Sequence, residues 1–184
     1  SDTADSGGLT YSITTNDPSG TVFTASGTAL TMTAQDYDIP ACGSGSDSLT
    51  CVVVLAATDA AGTATAHTIT VTITDTNDQA PSYASADTTP NIDEGDTAVE
   101  TLTVTDSDTG DVNACTLAGA DSGSFTCTVS GDSVSLAFTS APDYDSAGDA
   151  DTDNDYIVTL TISDGTNDGS TISYTVTVDD TNDQ

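Results

Sequence analysis

Apolar and polar residues alternate along several short runs, and each run predicts a strand with one buried and one wet face. In the clearest case His67, Ile69, Val71 and Ile73 point inward while Thr68, Thr70, Thr72 and Thr74 point outward. Ile172, Tyr174, Val176 and Val178 repeat the pattern, with Thr171, Ser173, Thr175 and Thr177 between them. Each run follows another, Cys51, Val53, Leu55, Ala57 in the first case and Tyr156, Val158, Leu160, Ile162 in the second, ending at Asp59 and Asp164. Shorter strands are expected where Leu9, Tyr11 and Ile13 share a face, at Val22 to Phe23, at Leu30 to Met32, and at Leu102 to Thr105. Thr, Val and Ile suit a pleated surface by shape, so the chain reads as ordered and all-β.

The runs come in matched sets. Cys115 and Leu117 take the places of Tyr11 and Ile13, Val134 and Leu136 those of Leu30 and Met32, and Asp143-Tyr144-Asp145 that of Asp36-Tyr37-Asp38. A repeat of this size suits a β-sandwich, and two sandwiches are expected, residues 1–79 and 80–184. The first has no counterpart of residues 80–105, which hold Asn91, Ile92, Asp93, Glu94 and Gly95. It is therefore expected to lack its first strand or strands and to leave an open edge. Two explanations stand side by side: a window on a longer repetitive polypeptide, or a homo-polymer in which another subunit supplies the strand by β-strand addition. Either implies continuation beyond this chain.

Charge narrows the partners. The chain has 30 Asp and Glu, no Lys or Arg, and a formal net charge of -30. Nothing in it neutralises phosphates, which excludes nucleic acid and an anionic membrane surface as partners. No apolar run reaches membrane-spanning length, so no direct membrane insertion is expected. Of the three pairings open to four cysteines, Cys42 with Cys51 and Cys115 with Cys127 is the economical one, and it implies an oxidising, extracellular or cell-surface setting. No Asn-x-Ser/Thr acceptor occurs. The outward Thr rows read as β-propensity or as attachment points for O-linked glycans.

Acidic clusters recur where strands end. Asp75-Thr76-Asn77-Asp78-Gln79 returns as Asp180-Thr181-Asn182-Asp183-Gln184. Carboxylates packed this closely in a chain without basic residues call for a cation, and calcium, which takes six to eight oxygen ligands, fits. The expected ligands are Asp36 and Asp38, then Asp75 or Asn77 and Asp78 with the Thr76 and Gln79 carbonyls, then Asp106, Asp108, Asn113 and Asp164. Asp2, Asp47, Asp121 and Asp149 read instead as solvated surface. Enzyme readings fare poorly: the carboxylates sit in linkers and turns, and His67, the single histidine, is expected on the inward side of a strand edge.

These motifs resemble those of tandem cadherin-like repeats over nearly the whole chain. Asp75 to Pro81 is similar to the family's Asp-x-Asn-Asp-x-x-Pro linker, Asp36/Asp38 and Asp143/Asp145 to its Asp-Arg-Glu loop, Asp106/Asp108 to its Asp-x-Asp motif, and Glu94 to its early ligand glutamate. The resemblance implies Greek-key β-sandwiches of cadherin or immunoglobulin type, with calcium stiffening each junction. Glu94, Asp143, Asp145 and Asp183 would serve a following junction. Asp replaces Glu at Asp38 and Asp145, which shortens that ligand's reach. The expected function is a calcium-rigidified extracellular repeat forming a rod or filament; the alternative is a cell-surface adhesin module binding protein or glycan through its loops.

Overall fold

The computed structural model describes residues 8–16, 22–27, 29–38, 42, 50–83, 85–108 and 113–182. The chain divides into two compact units, Ser1–Thr76 and Asn77–Gln184. In unit 1, β1 (Thr10–Asn16), β4 (Thr50–Thr58) and β5 (Ala64–Thr72) form one antiparallel sheet in the order β1-β4-β5. A hairpin of β2 (Phe23–Ser26) and β3 (Ala29–Met32) forms the other. Val22, Phe23, Cys42, Cys51 and Val53 are buried at its centre, and the Cys42–Cys51 disulfide is present.

Unit 2 adds β6 (Ser82–Tyr83), β7 (Asn91–Asp93), β8 (Ala98–Thr105), β9 (Ala114–Ala118), β10 (Phe125–Ser130), β11 (Ser133–Phe138), β12 (Asp155–Ser163) and β13 (Asp168–Asp179). They form two four-stranded sheets, β10-β11-β8-β6 and β7-β13-β12-β9. Burial alternates along β12 and β13 because successive side chains leave a pleated strand on opposite faces. Val134, Val158, Leu160, Ile162 and Val176 are completely buried between the sheets. Phe125, Phe138 and Tyr156 close one side of this core, with ring centroids 4.5 to 6.0 Å apart. The Cys115–Cys127 disulfide joins β9 to β10, and so one sheet to the other.

Strand register makes the internal repeat explicit. Ile13 lies opposite Leu55 as Leu117 lies opposite Leu160, and Val53 opposite Ile69 as Val158 opposite Tyr174. His67 departs from expectation. It is exposed, although its parity is the expected one, opposite Leu55. Its counterpart in unit 2, Ile172, is only 6% exposed; among the described residues, unit 1 has no equivalent of β6, β7 and β8 to cover it. Leu9 and Tyr11, set on the same face as Ile13, are exposed as well.

Across the core of unit 2 the Tyr174 hydroxyl donates to Glu100 Oε2 at 2.6 Å. Burial first, and then this bond, raise the phenol pKa far above its ordinary value, so Tyr174 stays a donor through the alkaline range. Tyr174→Phe should destabilise unit 2 by about 1.5 kcal/mol, because it strips a charged acceptor of its buried donor. Chemical denaturation of the two proteins checks this; coincident midpoints would mean the bond contributes nothing.

Candidate metal centre

One end of unit 2 collects the linker, the exit of β8 and the β12–β13 turn. Just past β8, Asp106 Oδ1 accepts the Asp108 backbone N–H at 3.1 Å, a local turn of the kind Asp favours. The turn carries Asp108 inward, where it is 7% exposed. Its Oδ2 accepts the backbone N–H groups of both Asp78 (2.9 Å) and Gln79 (2.8 Å), which fastens the linker to the sandwich. Asp78 and Asp108 also place carboxylate oxygens within 4.8 Å of each other.

Three oxygens here are enclosed and accept no hydrogen bond: Asp106 Oδ2, Asp108 Oδ1 and Asn113 Oδ1. All are acceptors. An enclosed carboxylate oxygen without a partner is costly, and a chain with no Lys or Arg has no side-chain cation of that kind to supply one. Oxygen donors of carboxylate and amide type are the set a hard divalent cation takes. The residues present fit calcium.

Asn167 organises the rest of this end, and sequence reasoning missed it. Its Nδ2 donates to Asn77 Oδ1 at 2.8 Å, to the Gln79 carbonyl at 3.0 Å and to Asp164 Oδ2 at 3.3 Å. Asp164 Oδ1 in turn accepts the N–H groups of Thr166 and Asn167, each at 2.6 Å. The Asn167 N–H, and with it that of Thr166, holds the Asp164 carboxyl below the ordinary Asp value, against the opposing effect of burial. Asp164 therefore braces the turn that presents Asn167 to the linker. The Asp-Gly turn at Asp164 was the available signal; the amide's reach to Asn77 was not.

At the opposite end, Glu94 gathers the chain after β13. Its Oε1 accepts the Thr181 N–H (2.9 Å) and hydroxyl (3.1 Å), and its Oε2 accepts the Tyr144 N–H (2.8 Å). Asp143 Oδ1 accepts the Ser146 N–H at 3.1 Å, Asp180 Oδ1 accepts that of Asn182 at 2.7 Å, and Asp145 is exposed. Asp183 lies outside the described residues. The Thr181 N–H, followed by that of Tyr144, lowers the Glu94 pKa below its ordinary value. A depressed carboxyl contributes its stabilisation above the unfolded pKa and loses it as pH falls through the folded value. In chelator, the amide signals of Thr181 and Tyr144 should therefore hold until pH drops below the ordinary Glu range and then shift together. An NMR pH titration reads this, and a midpoint at the ordinary Glu value would remove the assigned role.

In unit 1 Asp36 Oδ1 accepts the Asp38 N–H at 3.0 Å, while Asp75 is half-buried and Thr76 exposed. Two acids read as solvated surface are not. Asp121 and Asp149 are each 6% exposed and accept backbone N–H groups of the loop before β12. Asp2 and Asp47 lie outside the described residues. Asp149, Asp151 and Asp153 bring carboxylate oxygens within 4.8 Å of one another, but the last two are exposed and the first is already engaged by its own loop.

No family model matches the sequence, and no curated protein does. Solved structures do. The protocadherin gammaB7 EC3-6 cis-dimer structure is 21% identical, with a TM-score of 0.71 over 96% of this chain and 41% of that one. The protocadherin gammaB4 extracellular domain is 23% identical, at 0.71 over 95% and 27%, and human CDH23 EC21-23 is 17% identical, at 0.69 over 95% and 59%. This chain thus spans less than two thirds of each. At these identities the likeness speaks of the fold, and the fold is the all-β sandwich of cadherin ectodomain repeats.

Proposed function

We infer that the chain is an extracellular structural repeat, non-enzymatic, whose units are stiffened into a rod or filament by calcium. The three donorless oxygens of Asp106, Asp108 and Asn113 carry this reading. Asp108 gives one oxygen to the linker backbone and keeps the other for the ion, so occupancy of the site and the set of the linker are coupled. Asp36, Asp38, Asp75, Thr76, Asn77, Asp78, Gln79 and Asp164 complete the assigned ligand set. Glu94, Asp143, Asp145 and Asp183 are assigned to a following junction.

An extracellular location is supported by the two disulfides and by neighbours described as extracellular domains and ectodomains. A cis-dimer among those neighbours supports association between copies, here by β-strand addition to unit 1. O-linked glycans are assigned to the exposed row Thr68, Thr70, Thr72 and Thr74; in unit 2 Thr171 and Thr177 are instead hydrogen-bonded to Thr161 and Asp155. The adhesin reading retains one support, the exposed Tyr144 and Ile157 on unit 2.

Negative-stain microscopy tests the rod. In millimolar calcium the particles should be straight and of uniform length, and in chelator bent and variable. Identical shapes in both would overturn the strut.

A further inference from the structure

At the β12–β13 turn one nitrogen holds three oxygens of three kinds. Asn167 Nδ2 meets the side-chain carbonyl of Asn77 at 2.8 Å, the backbone carbonyl of Gln79 at 3.0 Å and the carboxylate of Asp164 at 3.3 Å. An amide group has two protons to give, so three acceptors are more than it can serve with full bonds. Carboxylate, amide carbonyl and backbone carbonyl are, however, the oxygen classes from which calcium draws its six to eight ligands. The amide stands at a point where the fold gathers cation ligands.

The turn itself does not need that side chain. Its closure uses the backbone of Asn167, whose N–H donates to Asp164 Oδ1 at 2.6 Å and whose carbonyl accepts the Asp164 N–H at 3.2 Å and the Ser163 hydroxyl at 3.0 Å. Unit 1 supplies the comparison. There the turn after β4 closes in a similar way, with Asp59 Oδ1 accepting the Thr63 N–H at 2.7 Å, yet Ala60, Ala61 and Gly62 between them bring no amide side chain. What Asn167 adds is a hold on the linker. Gln79 ties that hold to the metal centre, because its carbonyl accepts from Asn167 while its N–H donates to Asp108 Oδ2 at 2.8 Å.

We propose that the Asn167 side chain is a built-in competitor of calcium: its NH2 group occupies the place where the Asn77, Gln79 and Asp164 oxygens converge, and it must turn out before they can ligate an ion. Its two protons serve these oxygens in a chain with no Lys or Arg to do so, and the linker stays fastened at low calcium. The same bonds lower calcium affinity, since only molecules with the amide turned out present the oxygens. Asn167 thereby sets the calcium concentration at which the linker passes from a side-chain clamp to an ion clamp. This role rests on the calcium reading of unit 2.

Calorimetric calcium titrations of the whole chain, as wild type and as Asn167→Ala, test it. Removing the competitor should tighten calcium binding about tenfold, the factor that applies if about a tenth of wild-type molecules have the amide turned out, while the melting point in chelator falls. A purely structural amide would cost stability and leave calcium affinity unchanged, and an amide whose Oδ1 ligates the ion would give weaker binding in the variant; either result overturns the proposal. The wild type gives a second measurement that needs no variant. By NMR the Asn167 Nδ2 protons should be protected from exchange with water in chelator and lose that protection in saturating calcium, and protection retained at saturation would overturn the proposal as well. Calcium binding by neither protein would refute the metal reading and this role together; equal binding by both would refute the role of Asn167 alone.

Discussion

Calcium at roughly one hundred times its dissociation constant should stabilise unit 2 by about 2.7 kcal/mol and raise its melting point by about 10 to 20 °C. For an extracellular site of about 10⁻⁴ M affinity, that means calcium near 10 mM. The gain follows from mass action: an ion that binds the folded arrangement of Asp106, Asp108 and Asn113, and not the dispersed unfolded chain, pulls the equilibrium toward the fold. It should be large here because the three oxygens are already enclosed and donorless without the ion. Magnesium should do less, since it dehydrates reluctantly and demands a tight octahedron.

Asp108→Asn separates the two duties of that residue. The amide oxygen still accepts from the linker, but the charge is lost. A tenfold weaker site would cut the stabilisation at the same calcium concentration to about 1.4 kcal/mol. Stability in chelator should hold or rise, because one carboxylate fewer repels its neighbours. Thermal circular dichroism across a calcium titration reads both effects. A melting point indifferent to calcium would refute the metal reading and leave the acids as a solvated coat.

Asp121→Ala should cost unit 2 about 2 to 4 kcal/mol whether or not calcium is present. Asp121 Oδ1 accepts the Ala150 N–H and Oδ2 the Ile157 N–H, each at 2.7 Å. The Asp121 N–H itself donates to the Ile157 carbonyl at 3.2 Å. One carboxylate therefore closes the loop before β12 and pins the outer edge of that strand. Truncation leaves two backbone donors without their acceptor, at about 1 to 3 kcal/mol each. Asp121→Asn keeps one acceptor oxygen and should recover about half the loss. The midpoint of urea unfolding should fall with its slope unchanged. A deficit that calcium erases would show that Asp121 acts through the metal centre instead.

Strand parity was legible in the sequence because it is local. A two-residue period follows from backbone pleating, and the pairs Val53–Ile69 and Val158–Tyr174 fall where the alternation sets them. The acidic linker, the Asp-x-Asp motif and the turns ending β4 and β12 could be located for the same reason. Burial was less legible. His67 has the inward parity of Ile172, yet it is exposed, since parity assigns a face and only a covering strand buries it.

The roles of individual acids divided along the same line. By itself the sequence determined an all-β chain with an internal repeat, acids concentrated at strand exits and no Lys or Arg to neutralise them. The tertiary structure decided which acids are already satisfied by backbone N–H groups, as Asp121, Asp149 and Asp164 are, and which keep a bare oxygen, as Asp106 and Asp108 do. It also decided that Asn167 reaches Asn77 across 90 positions of sequence. Alternation is set by neighbours along the chain, whereas satisfaction of a carboxylate depends on which loops the closed sandwich brings together.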